Sequence, residues 1–318
     1  MEKIYSGSEI PGMIEPIEQA LLETLSKEIN FENEESVVEF GTFFGRSTAC
    51  IAAGLKDNKT FNKNSKFYAY DSFECDLSGS FYPHVLSFAN GSNCENLLKE
   101  NGGKVNFYPI FQRYLDHYIK NEILFPQKKE LVNSFPENKA IRLMHIDSPK
   151  FYDEFKFILY RFFPYLKQGS FLVFQDFFYH WSASLIAVIG IMYKNGFLTF
   201  EKSAASSLLC KVSKTFDSTQ IDEIDLVMSD KNIIPQSIDF LIETMQKVDL
   251  DRRNIFLPRL KLAKIQWLYE DGNHKAAAGE VAKFANEGNT FNSAIANDFL
   301  ELMRFGFSIR SLYSRDHS

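Results

Sequence analysis

The sequence predicts an α/β protein: a doubly wound, seven-stranded, mostly parallel sheet followed by an α-helical extension. Three observations carry that prediction. Short apolar runs alternate with stretches of helical periodicity from Ile14 to Val212, the pattern of a parallel sheet covered on both faces. Four acidic residues, Glu39, Asp71, Asp147 and Asp176, fall at or just past the ends of such runs, where ligands of doubly wound folds bind. After about residue 214 the strand-like runs stop, and from Ser237 onward only helical spacing remains.

The elements follow in order. Ile14, Ile17, Leu21, Leu22, Leu25 and Ile29 recur at helical spacing, entered through Ile10-Pro11-Gly12. Ser36 to Phe40 is a first strand ending at Gly41, and Arg46 to Leu55 the helix after it. Lys66 to Tyr70 is a second strand, ending at Asp71. Asn93 to Glu100 is helix-like, and Val105 to Tyr108 is a third strand with a helix from Phe111. Ile141 to Ile146 is a fourth strand, Phe151 to Leu166 a helix, and Ser170 to Phe174 a fifth strand. Trp181 to Tyr193 is a helix. Phe197 to Glu201 and Ser207 to Val212 form a closing strand pair. Polar Thr215 to Gln236 is a linker or short cap. Helices then cover Leu260 to Tyr269 and Lys275 to Asn286, and Ile295, Phe299, Leu302 and Met303 share one face of a last helix. The expected domains are residues 1–213 and 214–318.

Composition narrows the function. The 318 residues are 45% hydrophobic and 24% charged, ordinary for a globular chain. Phenylalanine is abundant, 32 residues against 14 Tyr and 2 Trp; codon bias explains this before an aromatic-lined pocket does. A net charge of −6 disfavours nucleic-acid substrates, which need clustered Lys and Arg. Cys50, Cys75, Cys94 and Cys210 form no CxxC pair and read as reduced thiols. No basic-then-apolar leader opens the chain, and no apolar run approaches the ~20 residues of a membrane span. A cytoplasmic protein is expected.

The segment Glu39-Phe40-Gly41-Thr42-Phe43-Phe44-Gly45 carries the first chemical signal. A glycine after the first strand admits a ligand to the backbone, and the next helix offers N–H groups at its start. A dinucleotide fingerprint needs three glycines against the pyrophosphate; here Phe43 and Phe44 fill the turn, and Glu39 would repel a phosphate. S-adenosylmethionine has no phosphate. Its α-ammonium suits Glu39, and its carboxylate suits the helix start at Arg46-Ser47. Asp71 stands about 30 residues beyond Gly41, against the ~20 typical of the acid that accepts ribose hydroxyls; the polar insertion Lys56 to Ser65 accounts for the excess. The alternative is that Asp71 caps a turn with Ser72.

Val37-Val38-Glu39-Phe40-Gly41, Asp71-Ser72-Phe73-Glu74, His145-Ile146-Asp147, and Phe162 to Gly169 followed by Gln175-Asp176-Phe177 resemble the macrocin O-methyltransferase group of class I, S-adenosylmethionine-dependent methyltransferases, over roughly residues 10–212. The resemblance implies a Rossmann-like fold and transfer of a methyl group to a hydroxyl of a small molecule or saccharide. It implies cofactor contacts from Glu39, Phe40, Gly41, Thr42, Gly45, Ser47, Asp71, Ser72 and Phe73, with the helix after Met13 helping to close over them. It also implies a magnesium site at Asp147, Gln175 and Asp176. Two positions depart from the group: Gln175 stands for an acid, and Pro149 stands where a further acid follows Asp147. Magnesium wants hard oxygens and compensating charge, so both changes weaken the site.

Methyl transfer is an in-line displacement that needs an aligned acceptor and profits from a base. Asp147 is the first candidate, directly or through the metal; Asp176 and His180 are the others. His145 shares a strand face with Asp147 and is otherwise a packed strand residue. Phe177, Phe178, Tyr179 and Trp181 line an acceptor pocket or belong to the core. Trp267 to Ala277 resembles the middle of one tetratricopeptide repeat, short of the three or so a stable array needs; its use would be dimerisation, giving a homo-oligomer, or substrate gripping. The competing reading is a catalytically silent binding or scaffold protein on the same fold, favoured by Gln175 and Pro149.

Overall fold

Every residue of Glu35–Phe40 is buried, as a strand covered on both sheet faces must be. Val37, Val38 and Phe40 supply apolar surface, and the polar members find internal partners. The Ser36 hydroxyl donates to the Ala140 carbonyl at 2.9 Å, and Glu35 accepts the Glu32 amide at 2.7 Å. The computed structural model describes residues 3–32, 34–137, 140–287 and 293–304; the Met303 side chain lies outside the described set. The chain forms two compact units, one up to Ser148 and one from Pro149.

The first unit contains α1 (Pro16–Glu28), β1 (Glu35–Phe40), α2 (Arg46–Asp57), β2 (Lys66–Asp71), β3 (Glu74–Asp76), α3 (Tyr82–Gly91), β4 (Lys99–Asn101), β5 (Lys104–Asn106), α4 (Tyr108–Lys120), β6 (Leu124–Lys128) and β7 (Ala140–Ile146). β1 lies parallel between β2 and β7, and β6 lies parallel on the other side of β2. β3, β5 and β4 form a separate small antiparallel sheet. The second unit contains α5 (Tyr152–Arg161), β8 (Leu166–Phe174), α6 (Ala183–Lys194), β9 (Leu198–Ala204), β10 (Ser207–Val212), α7 (Ser218–Met228), α8 (Ile233–Met245), α9 (Arg253–Glu270), α10 (His274–Asn286) and α11 (Ser293–Arg304). β10 is antiparallel to both β8 and β9. The seven main strands run in the order β6-β2-β1-β7-β8-β10-β9: a doubly wound, mostly parallel sheet with one antiparallel strand near its edge.

Three expectations are corrected. Val105 to Tyr108 is not the third strand of the main sheet. Lys104–Asn106 belongs to the small antiparallel sheet, and α4 begins at Tyr108 with Pro109 in its first turn, where proline is tolerated. The main-sheet strand is Leu124–Lys128; its Pro126 hides it from pattern reading, yet is allowed because β6 is an edge strand. Asn93 to Glu100 is a short 3-10 turn running into β4 rather than a helix. Thr215 to Gln236 is helical, not a linker, because Ile221, Ile224 and Met228 bury one face of α7.

The phenylalanines fill the cores. In the first unit Phe43 stacks on Phe44 at 4.0 Å between ring centroids, and Phe73 packs on Phe111 at 4.8 Å. In the second, Phe178 stacks on Phe256 at 4.5 Å, and Leu262, Ile265, Phe284, Ile295 and Leu302 form the core of the last helices. Among the described residues no helix is long and apolar enough to cross a membrane.

Candidate functional site

β1 delivers the chain to a sharp turn at Gly41. The backbone there has φ +81°, and a Cβ would lie 2.9 Å from the Ser148 nitrogen, so glycine is required for both reasons. The Gly41 N–H donates to the Tyr70 carbonyl at 3.0 Å, and the amides of Asp147 and Ser148 both donate to the Phe40 carbonyl at 3.0 Å. The ends of β1, β2 and β7 are thereby stitched together, and Asp147 stands beside the glycine turn.

Asp71 shapes the loop. Its Oδ2 accepts the amides of Thr42 at 2.8 Å and Phe43 at 3.0 Å, and its Oδ1 accepts the Phe73 amide at 2.7 Å. Burial raises its carboxyl above the usual carboxylate range, against the pull of those three donors. Phe43 is held at φ +50°, an uncommon state for a bulky residue that these bonds to the flanking amides make tenable. Ser72 donates to the Glu74 carbonyl at 3.1 Å.

Glu39 points inward. It is 0% exposed, with Thr48 donating to Oε2 at 2.6 Å and His145 Nδ1 at 3.0 Å from Oε1. A carboxylate with no exposed surface acts on a ligand through its field rather than by contact. The first unit thus gathers Gly41, Thr42, Gly45, Asp71 and Asp147 about one loop, while Glu39, Phe40, Ser47 and Phe73 form its buried backing. Sequence reasoning missed Thr48, which lies in the first turn of α2 and meets Glu39 only through the fold.

In the second unit Asp176 follows β8 with φ +56°. Lys150 Nζ lies 2.8 Å from its Oδ2, and the Ser206 hydroxyl donates to its Oδ1 at 3.1 Å. Burial opposes the charge, yet Lys150 and these hydrogen bonds hold the carboxyl below its ordinary range. Gln175 Oε1 accepts the Ser207 hydroxyl at 2.6 Å, and its Nε2 donates to Ser206 at 3.2 Å. Lys150 was not singled out from the sequence, although it adjoins the departure at Pro149.

His180 is 1% exposed, and neither ring nitrogen has a hydrogen-bond partner among the described residues. Burial pushes its pKa down to about 4. Nearby, Arg259 pairs with Asp298 at 2.7 Å and lies over the Tyr179 ring at 4.5 Å.

The second-unit residues do not fit a magnesium ion. Gln175 has its oxygen turned to Ser207, and Asp176 holds an ammonium. Among the described residues no group of three or more His, Cys, Asp or Glu side chains is set to hold a metal. The loop at Gly41, in contrast, offers a glycine turn held by the Asp71 carboxyl, with the Glu39 carboxyl buried behind it, a donor set compatible with S-adenosylmethionine.

Residues 38–177 match a family model described as a methyltransferase domain. No curated protein matches the sequence significantly. Among solved structures, the O-methyltransferase NovP is 12% identical with a TM-score of 0.43, over 62% of this chain and 78% of that one. The TDP-rhamnose 3'-O-methyltransferase CalS11 is 16% identical with a TM-score of 0.38, over 61% and 76%. An O-methyltransferase from Bacillus cereus, in complex with SAH, is 10% identical with a TM-score of 0.40, over 65% and 86%. At these identities and scores the likeness says nothing about substrate. The family match to a methyltransferase domain falls on the glycine turn and the strand ends just described, on a Rossmann-like sheet.

Proposed function

We propose that the protein methylates a hydroxyl group of a small molecule or saccharide, with Asp147 as the general base. The observation that carries this reading is the bond of the Asp147 amide to the last carbonyl of β1, which puts a carboxylate-bearing residue at the glycine turn. When bound, S-adenosylmethionine supplies an electrophilic sulfonium methyl. The chain's own residues do the rest. Gly41 and Thr42 present backbone to the ligand, Asp71 holds their conformation and offers its oxygens to ribose hydroxyls, and buried Glu39 favours positive charge near the turn. Asp147 takes the acceptor's proton. His180, buried with a pKa near 4, is the weaker candidate, because a base so far below neutral pH has little pull on a hydroxyl proton. Asp176 lies at the carboxyl end of β8.

The acidic chain, −6 overall, favours an acceptor other than nucleic acid, in a cytoplasmic setting. The C-terminal helices, with their single repeat-like hairpin, would grip the acceptor or a second copy of the chain. Calorimetric titration with S-adenosylmethionine and S-adenosylhomocysteine tests the cofactor, and a screen of hydroxylated glycan intermediates tests the acceptor. Binding of both cofactor forms with methylation at oxygen is expected. No heat with either, or methylation only at nitrogen or carbon, overturns the reading.

A further inference from the structure

We infer that the resident cation at the carboxyl end of β8 is Lys150, which occupies Asp176 in place of a divalent metal, so that this methyltransferase works without one. The inference rests on the proposed hydroxyl methylation, since that is where a metal is expected.

Three sequence features change the charge of the expected metal site in one direction. Pro149 and Gln175 each remove an acid, and Lys150 adds a positive charge. The geometry agrees. Asp176 has one oxygen on the Lys150 ammonium at 2.8 Å and the other on the Ser206 hydroxyl at 3.1 Å. Gln175, the only other oxygen ligand expected from this strand end, gives its carbonyl to Ser207 at 2.6 Å and its amide to Ser206 at 3.2 Å. The network is reciprocal: Ser206 accepts from Gln175 and donates to Asp176.

Magnesium asks for near-octahedral oxygen ligands at about 2.0–2.1 Å and sheds water reluctantly. To bind here it would have to break a charge-assisted hydrogen bond, turn Gln175 away from Ser207, and sit beside a partly buried ammonium. Like charges a few ångströms apart repel strongly at reduced dielectric. The Lys150 side chain is 21% exposed, so the pair stands where a ligand at the strand end meets its charge. Lys150 is a positioning residue: it fixes the Asp176 carboxylate through the ion pair.

The test uses Mn²⁺ as the probe, read by water-proton relaxation on the full chain, with calorimetric titration of S-adenosylmethionine on the same samples. The parent should bind S-adenosylmethionine but give no relaxation enhancement with millimolar Mn²⁺, and EDTA should leave turnover unchanged. Lys150→Asp removes the ammonium and adds a carboxylate, and should acquire Mn²⁺ binding that Asp176→Asn in the same background abolishes. Lys150→Met should keep cofactor affinity while turnover falls by ~100-fold, the scale of a misplaced group. Thermal melting of each variant confirms that it is folded. Stoichiometric Mn²⁺ binding by the parent overturns the inference, whatever the variants do. A Lys150→Asp protein that is folded yet as silent toward Mn²⁺ as the parent overturns the part assigned to Lys150. A parent that binds neither Mn²⁺ nor S-adenosylmethionine sinks the methyltransferase reading, and the inference with it.

Discussion

His180 and Asp147 carry opposite kinds of cost. His180 is a buried imidazole without hydrogen-bond partners among the described residues, facing the Arg259–Asp298 ion pair. Its pKa falls from 6.5 to about 4 on folding, so the unfolded chain binds the proton more readily. Stability from this group is complete above pH ~6.5 and is lost as the pH falls toward 4, by about 3 kcal/mol for a shift of this size. Urea melts of the parent and of His180→Leu between pH 7 and pH 4 should diverge in slope, the variant losing less; parallel curves would contradict the assignment. Asp147 is the proposed general base instead. Asp147→Asn should leave folding intact and cofactor affinity within ~tenfold, while turnover falls by at least ~100-fold. Normal turnover by that variant would move the base to His180. At this scale the sequence showed which residues stand at strand ends, because carboxylates after apolar runs are visible. It did not show their partners: Lys150, Thr48 and Ser206 become neighbours only through the fold.

At the scale of elements, legibility tracked how ordinary each element's chemistry is. β1, β2, β7 and β8 are apolar runs ended by an acid or glycine and were readable. β6 was not, since Pro126 removes a backbone donor and breaks the pattern that marks a strand, and α7 was hidden by acidic residues on its exposed face. Some contacts between elements leave no pattern at all. α6 approaches α8 so closely that a Cβ on Gly190 would lie 2.4 Å from the Ser237 carbonyl oxygen. Gly190→Ala should therefore destabilise by about 1–3 kcal/mol through overpacking, even though alanine is the better helix former; a raised melting temperature would show that the helices part without cost. Gly41→Ala combines a positive φ with a contact on backbone. It should cost about 1–3 kcal/mol in strain and abolish the S-adenosylmethionine heat, whereas the Gly190 change should spare it.

For the whole molecule, the sequence changes character near Lys214, yet the contacts divide the chain at Ser148 and Pro149. Periodicity reports local structure; a boundary depends on which faces are shared, and those are set by long-range packing. Within the second unit the helices after residue 213 are tied to the strands before it. Phe178 stacks on Phe256, the Ala205 amide donates to Asp251 at 2.8 Å, and the Asp251 amide donates to Ser203 at 2.8 Å. Tyr152 donates to Asp225 at 2.8 Å. Ten of the twelve residues of α6, from Ala183 and Leu185 to Tyr193, are buried, more than a helix covered on one face alone would bury. A chain ending at Ser213 would strip α8 and α9 from that helix, take Phe256 from Phe178 and take Asp251 from the Ala205 amide. Burying a large side chain contributes ~1.5–3 kcal/mol, and a domain's whole stability is about 5–15 kcal/mol, so losing several such contacts suffices to unfold it. Residues 1–213 expressed alone should be aggregated, with no cooperative melt and no S-adenosylmethionine binding by calorimetry. A monomeric, cooperatively melting fragment that binds the cofactor would instead establish residues 214–318 as a separable helical domain.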